Sequence, residues 1–431
     1  MNLLNKLLSP DDEAYFTEFT SAVSDACHHS NSTQKIKDEN PNKLDFDPVK
    51  PGGLKSYPAI WTQDFTMVYA AGFISHENGF KHLLQILKVQ NGKDSIQMNT
   101  GAAVPPWAIP DHVNFDGSPV FFPGTYSSGL DQGGSYGLRP PYNNYYDIIW
   151  LAWMLLKDSE DLAAQLNRDI NGITLYERLS KAFNVPTVDD KGIVYTTAEE
   201  RAVGFIFCDT VEMTGDLLMA TLLRMRAAGH MRDFANAIGY VEEAKNFDIE
   251  SEKAKDHIST TFKHESGWLK ACTGISSQPD VFGTLYALYT DKLEGADKEA
   301  AMSAIIEGLA HNKIEQEGAL RHVPLNFNYS AETTWEKANA KNNTYQNGGY
   351  WFMPAGWLVA VLYKDHPVEA KHFLNRYILS MKKEDFRKGE EGLYAPWEWI
   401  FEGERSENIP LFGPSATLPY AVLREYLVGS S

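Results

Sequence analysis

The stretch Ile148-Ile-Trp-Leu-Ala-Trp-Met-Leu-Leu156 decides the fold. As a helix it is apolar on nearly every face, so it must be buried on more than one side. It falls far short of the roughly twenty apolar residues a membrane span needs. Helix-period patterns recur on either side of it, at residues 11–29, 65–74, 77–89, 145–156, 175–183, 210–228, 231–262, 281–293, 298–311, 356–363, 368–381 and 415–427. In the first, Phe16, Phe19, Val23 and Ala26 recur three or four apart behind an S-x-x-D cap formed by Ser9 and Asp12. A break is expected near Gly239, inside 231–262. Strand signals are few, at 192–196 and near 320–327. The pattern predicts an all-α chain, and a two-layer ring of helices would bury its inner layer in this way.

Composition narrows the function. The 431 residues are 43% hydrophobic and 22% charged, with no break that separates two domains. One domain over 1–431 is expected, residues 1–56 being a first helix and a long connection. A net charge of -18 argues against nucleic acid, whose phosphates demand a basic face, and against anionic membrane surfaces. Cys27, Cys208 and Cys272 lie far apart with no CxxC pair, which predicts neither a disulfide framework nor a zinc ribbon. Residues 1–10 do not read as a signal peptide. A cytoplasmic location follows as an expectation, with a periplasmic one open should a leader have been removed. His28-His29 and Arg321-His322 make no metal-ligand spacing, and no P-loop or GxSxG occurs, so no metal and no cofactor are expected.

The loops carry the unusual residues. Residues 105–139, 321–349 and 389–414 are long, weakly periodic and packed with Gly, Pro and aromatics, and long loops in compact domains are often functional. Tyr57-Pro-Ala-Ile-Trp61-Thr-Gln-Asp64 sets a carboxylate beside a tryptophan where a helix begins, either as a cap or as a ligand for sugar hydroxyls. Glu199-Glu200-Arg201 and Asp209-Thr-Val-Glu212 crowd carboxylates against an apolar run. Asp209 with Glu212 also reads as a capping box, whereas Glu199 and Glu200 are not explained by a cap. Tyr345-Gln346-Asn347-Gly-Gly-Tyr-Trp351 opens a helix with consecutive glycines, which permit close backbone approach to a ligand. Tyr394-Ala-Pro-Trp397-Glu398-Trp399 sets Glu398 between two tryptophans, and it is the best single catalytic candidate. Two carboxylates from distant parts of a chain suit glycosidic bond cleavage.

At these residues the chain resembles the six-hairpin, or (α/α)6-barrel, glycosidases, a clan that includes neutral invertases, trehalases and processing glucosidases. The resemblance spreads over roughly residues 57–427. Trp61-Thr-Gln-Asp64-Phe is similar to the segment whose Asp holds the sugar in the cleaved subsite. Arg139-Pro-Pro-Tyr-Asn-Asn144 is similar to the opening of an inner helix, and Asn347-Gly-Gly-Tyr-Trp351 to the opening of another. Glu200-Arg-Ala-Val-Gly-Phe resembles the invertase stretch that carries the general acid. Trp397-Glu398-Trp399, with Phe412-Gly-Pro-Ser415-Ala downstream, resembles the late segment whose Glu is the general base. The invertase pattern has Asp where this chain has Glu200, and the spacing from Gly204 to Val211 is about one residue longer, so Asp209 stands as the alternative acid. The resemblance implies an (α/α)6 toroid and an exo-acting, inverting hydrolase of a small saccharide or chain end. Its expected catalytic set is Glu398 with Glu200 or Asp209. Trp61, Asp64, Asp116, Arg139, Asn144, Gln346, Asn347, Trp351 and Trp397 are expected to bind the saccharide. A sugar epimerase on the same barrel and a non-catalytic saccharide-binding protein are the alternatives.

Overall fold

The computed structural model describes residues 2–31, 41–54, 56–202, 207–402, 404–405 and 410–426. Among these residues, twelve helices have nine residues or more. They are α1 (Pro10–Ala26), α2 (Thr62–Ala70), α3 (His76–Lys88), α4 (Asn143–Leu156), α5 (Leu175–Phe183), α6 (Leu218–Ala237), α7 (Val241–Phe262), α8 (Val281–Tyr289), α9 (Gly295–Ala310), α10 (Ala355–Tyr363), α11 (Pro367–Lys383) and α12 (Pro414–Glu425).

The even-numbered helices form a closed circuit. Helix α2 packs on α4, α4 on α6, α6 on α8, α8 on α10, α10 on α12, and α12 back on α2. The odd-numbered helices pack on this circuit: α1 on α12, α3 on α4, α5 on α4 and α6, α7 on α6, α9 on α8, and α11 on α10. A helix flanked by two neighbours and backed by a third has little face left for water, so its sequence must be apolar nearly all round. Every residue of α10 from Ala355 to Leu362 is buried, as is every residue of α8 from Val281 to Leu288. The odd-numbered helices are one-sided instead. In α7 only Ala244, Phe247, Ala254, Ile258 and Phe262 are buried, three to seven apart. Local chemistry sets their starts: the Ser9 side chain accepts from the Asp12 N–H ahead of α1, and Thr174 and Glu177 form a reciprocal capping box on α5.

Short strands tie the loops together: Tyr195–Thr196 and Ala319–Arg321 fall at the two places where strand signals were read, and the others carried none. Ala59–Trp61, His112–Asn114 and Pro119–Val120 form a three-stranded antiparallel sheet. A five-stranded antiparallel sheet runs in the order Glu315–Gln316, Ala319–Arg321, Tyr350–Trp351, Trp399–Phe401 and Glu404–Arg405, with Trp351 paired to Trp399. Strands of two or three residues leave no readable alternation in a sequence. The loop at 321–349 gathers around the fully buried Arg321, which donates to the Gly348 and Val323 carbonyls, Asn328 Oδ1 and Thr334 Oγ1 at 2.7–3.1 Å. Gly348 stands at φ +110°, and a Cβ there would meet that guanidinium at 2.7 Å.

Two expectations need correction. The pattern at 210–228 does not begin a helix at Thr210, because Gly215 (φ +77°) and Asp216 pair with Tyr195–Thr196 and α6 starts only at Leu218. Asp209 and Glu212 are therefore not a capping box. The break near Gly239 is present, at φ +81° between α6 and α7, but residues 218–237 run as one helix through Gly229. Leu427 and residues 203–206 of the invertase-like stretch lie outside the described residues. Among those described, no helix is long and apolar enough to cross a membrane, and all three cysteines are buried free thiols.

Candidate active site

A cavity of about 300 Å³ opens at the N-terminal ends of the circuit helices. Gln63 and Asp64 reach it from the first turn of α2, and Asn143 and Asn144 from the first turn of α4. Asp209 and Thr210 lie in the segment before α6, Tyr345 before α10, and Glu398 before α12. Trp61, Tyr126, Tyr136 and Phe207 supply aromatic wall, and Tyr57 and Asp111 complete the polar lining. Helix N-termini carry a positive partial charge, which favours carboxylates placed against them.

Four carboxyl groups therefore share one small space. Glu398 is 1% exposed and accepts a hydrogen bond from the Tyr57 hydroxyl at 2.8 Å. Burial holds its carboxyl well above the usual range, the charges of Asp64 and Asp209 add to the rise, and the Tyr57 bond opposes it. Burial also pushes Asp209 up to about 6, against hydrogen bonding from Gln346 and Tyr345. Gln346 donates its amide to Asp209 Oδ1 and accepts from the Thr210 N–H and hydroxyl at 2.6 and 2.8 Å. Asp64 is raised well above the usual range by burial, with Asp111 the largest neighbouring charge. Carboxyls forced toward protonation in a cleft are candidates for acid–base work.

A polar arc crosses the opposite wall. The Asn143 amide donates to Gln63 Oε1 at 2.8 Å and to Asn144 Oδ1 at 3.2 Å, and Asn144 donates to Asp111 Oδ1 at 3.3 Å. Asp111 Oδ2 in turn lies 2.8 Å from His112 Nδ1, and the His112 ring stacks on Trp61 at 4.2 Å. Asn143 Oδ1 and Trp61 Nε1 are buried and have no hydrogen-bond partner among the described residues, so both have capacity for a ligand hydroxyl. Three lining residues, Tyr57 (φ 51°), Phe207 (φ 60°) and Tyr345 (φ 48°), hold left-handed backbone that side chains rarely adopt. Such strain clusters at functional sites.

The fold has counterparts among solved structures. One is a rhamnosidase from Klebsiella oxytoca with rhamnose bound, with a TM-score of 0.52 and 12% identity over 88% of this chain and 60% of that one. Another is a GH78 family rhamnosidase of a Bacillus species, with a TM-score of 0.52 and 11% identity over 95% of this chain and 34% of that one. A third is the GH63 mannosylglycerate hydrolase from Thermus thermophilus in complex with glucose, with a TM-score of 0.52 and 13% identity over 90% of this chain and 98% of that one. This chain thus spans less than two thirds of the first rhamnosidase and about a third of the second, but nearly all of the third protein. At such identities the likeness is one of fold. No family model matches the sequence, and no curated protein matches it.

Of the residues singled out from sequence, Glu398, Asp209, Asp64, Trp61 and Asn144 line the cavity. Gln346 and Trp351 stand behind it, Gln346 on the Asp209 carboxyl and Trp351 stacked on Phe207 at 5.0 Å. Asn347 braces its own loop, accepting from the Thr334 N–H at 2.9 Å. The Glu200 side chain is 54% exposed and paired with Arg139, and neither residue is in the cavity lining. Asp116 sits in an exposed turn, bonded to Ser118, and Trp397 donates its indole N–H to Glu384. Sequence reading missed Tyr57, Gln63, Asp111, Asn143, Tyr345 and Phe207. Tyr57 and Gln63 lay inside the Tyr57–Asp64 stretch and Asn143 beside Asn144, so adjacency was their one signal. Among the described residues, no group of His, Cys, Asp and Glu is arranged to hold a metal ion.

Proposed function

We propose that the chain is a glycoside hydrolase on an (α/α)6 barrel, inverting and exo-acting, with Asp209 as general acid and Glu398 as general base. One observation carries this reading. Two buried carboxyls line one cavity from the segments that lead into α6 and α12, helices three steps apart, either way, around the six-helix circuit. Groups on opposite sides of a bound sugar can protonate the leaving oxygen on one face and activate water on the other, which is the geometry of inversion.

In this mechanism Asp209 enters protonated and gives its proton to the glycosidic oxygen as the bond from the anomeric carbon breaks. Gln346 donates to Asp209 Oδ1, which leaves the proton on the other oxygen. Glu398 takes a proton from the attacking water, whose oxygen forms the new bond to the anomeric carbon. Burial raises the Glu398 carboxyl, so the base acts from its ionised fraction, which the Tyr57 hydroxyl favours by donating to it. Trp61 and the neighbouring tyrosines offer apolar faces to the ring, while Asp64, Asp111 and the Gln63–Asn143–Asn144 arc take its hydroxyls. Tyr126 and Gly124 add a wall from the loop after Val120, which suits a chain end or a small saccharide better than the middle of a polymer. Four carboxylates in the lining also make a phosphate-bearing or nucleic-acid substrate unfavourable. Carboxylates rather than histidines fill the described lining, which favours hydrolysis over epimerisation by imidazoles.

The test is a panel of disaccharides and aryl glycosides, with proton NMR reading the anomer first released. Release of the opposite anomer is expected. Release of the same anomer overturns inversion, and saturable binding of sugars without turnover overturns the hydrolase reading.

A further inference from the structure

A second bonded cluster of ionisable groups lies buried beside the cavity and takes no part in the chemistry above. Cys208 Sγ is 3.3 Å from His322 Nδ1, and His322 Nε2 is 3.0 Å from Asp280 Oδ1. All three residues are at least nine-tenths buried. The imidazole stacks on Phe282, with ring centroids 4.2 Å apart, and makes a T-shaped contact with Trp335, with centroids 5.1 Å apart. Asp280 caps α8, its Oδ1 also accepting the Gly283 N–H at 2.8 Å. No described lining residue comes from α8 or from the segment just before it, so that N-terminus is given over to this cluster.

We propose that Cys208 is a positioning residue for Asp209, held by a Cys208–His322–Asp280 chain of hydrogen bonds rooted at the N-terminus of α8. The inference rests on the reading of Asp209 as the acid. Its geometry assigns the protons. His322 Nε2 faces a carboxylate and so carries the hydrogen, which leaves Nδ1 as an acceptor for the thiol S–H. Burial holds the thiol well above its usual range, so it stays a protonated donor and is no nucleophile. Asp209 follows Cys208 directly in the chain. On its other side the backbone is held by Gln346 at Thr210, by the Val211–Ala338 bridge and by the Glu212 N–H on the Lys337 carbonyl at 3.1 Å. With the thiol fixed behind it, the peptide carrying Asp209 is clamped at both ends. The two clamps also meet: Trp335, in T-shaped contact with His322, donates its indole N–H to the Gln346 carbonyl at 2.9 Å. A catalytic acid displaced by about 1 Å loses up to about 10²-fold in rate.

The test compares Cys208→Ala, Cys208→Ser and His322→Gln. One readout is the Asp209 carboxyl titration, followed by carbon-13 NMR without substrate. The other is kcat and KM on whichever glycoside the unmodified protein turns over. Cys208→Ala and His322→Gln are expected to shift the Asp209 titration and to lower kcat about tenfold or more, with KM within about twofold. Cys208→Ser, whose hydroxyl can donate to Nδ1, is expected to recover most of both. An unchanged titration in folded Cys208→Ala or His322→Gln overturns the proposal, as does a Cys208→Ser variant no better than Cys208→Ala. If the unmodified protein hydrolyses no glycoside, the hydrolase reading fails alone, because the titration still decides whether Cys208 positions Asp209.

Discussion

Replacing Asp209 by Asn tests chemistry and burial together. The carboxyl rises from an ordinary value of 3.8 to about 6, and burial is the leading cause. A group whose folded-state pKa is raised binds its proton more tightly in the native protein. Its contribution to stability is then full below about pH 3.8 and is lost as the pH rises through about 6. About two units at 1.36 kcal/mol each make that loss ~3 kcal/mol. The asparagine cannot ionise and still offers an oxygen to the Gln346 amide. Asp209→Asn is therefore expected to be more stable than the unmodified protein at pH 7.5 by up to ~3 kcal/mol, and no more stable at pH 4. With an unfolding entropy of about 2.1 cal/mol/K per residue, 431 residues give about 0.9 kcal/mol per kelvin, so Tm should rise by roughly 3 °C. Turnover of a glycoside with a poor leaving group should fall by a factor on the order of 10² or more. A dinitrophenyl glycoside, whose leaving group departs without protonation, should be spared most of that loss. Calorimetry at the two pH values and steady-state kinetics on the two leaving groups are the assays. The reasoning is refuted by equal rate losses on both substrates, or by a Tm change that is the same at pH 4 and pH 7.5.

Glu398→Gln should lower turnover by 10² or more on both leaving groups, since water must be deprotonated in either case; activity that survives on the activated substrate assigns the base elsewhere. In the unmodified protein kcat/KM should fall as the pH rises through about 6, where Asp209 loses its proton, and Asp111→Asn should move that limb to lower pH by removing a charge that raises Asp209; a limb that stays in place counts against the coupling. Glu200→Gln breaks an exposed pair with Arg139, so turnover should stay within about twofold and stability within about 1 kcal/mol; a large rate loss would restore Glu200 as the acid.

The sequence by itself determined the layers and much of the polar floor of the site. Residues 148–156 are apolar all round because α4 is enclosed by α2, α6, α3 and α5, and such enclosure leaves its mark in composition. One-sided helices such as α1 show their period and their cap for the same local reason. That Trp61, Asp64 and Glu398 would share a buried place was legible because charge set among aromatics marks an unusual burial. Which of Glu200 and Asp209 lines the cavity was not legible. Both are carboxylates beside one apolar run, and what separates them is the Arg139 guanidinium on one and the Gln346 amide on the other, 61 and 137 residues away. Nor could the sequence reveal that Tyr57, 341 residues before Glu398, donates to it, or that His322 meets Cys208 across 114 residues. Local patterns report how a segment is buried. Which buried groups share a cavity, and so how tightly each holds its proton, is set by closing the helix circuit on itself.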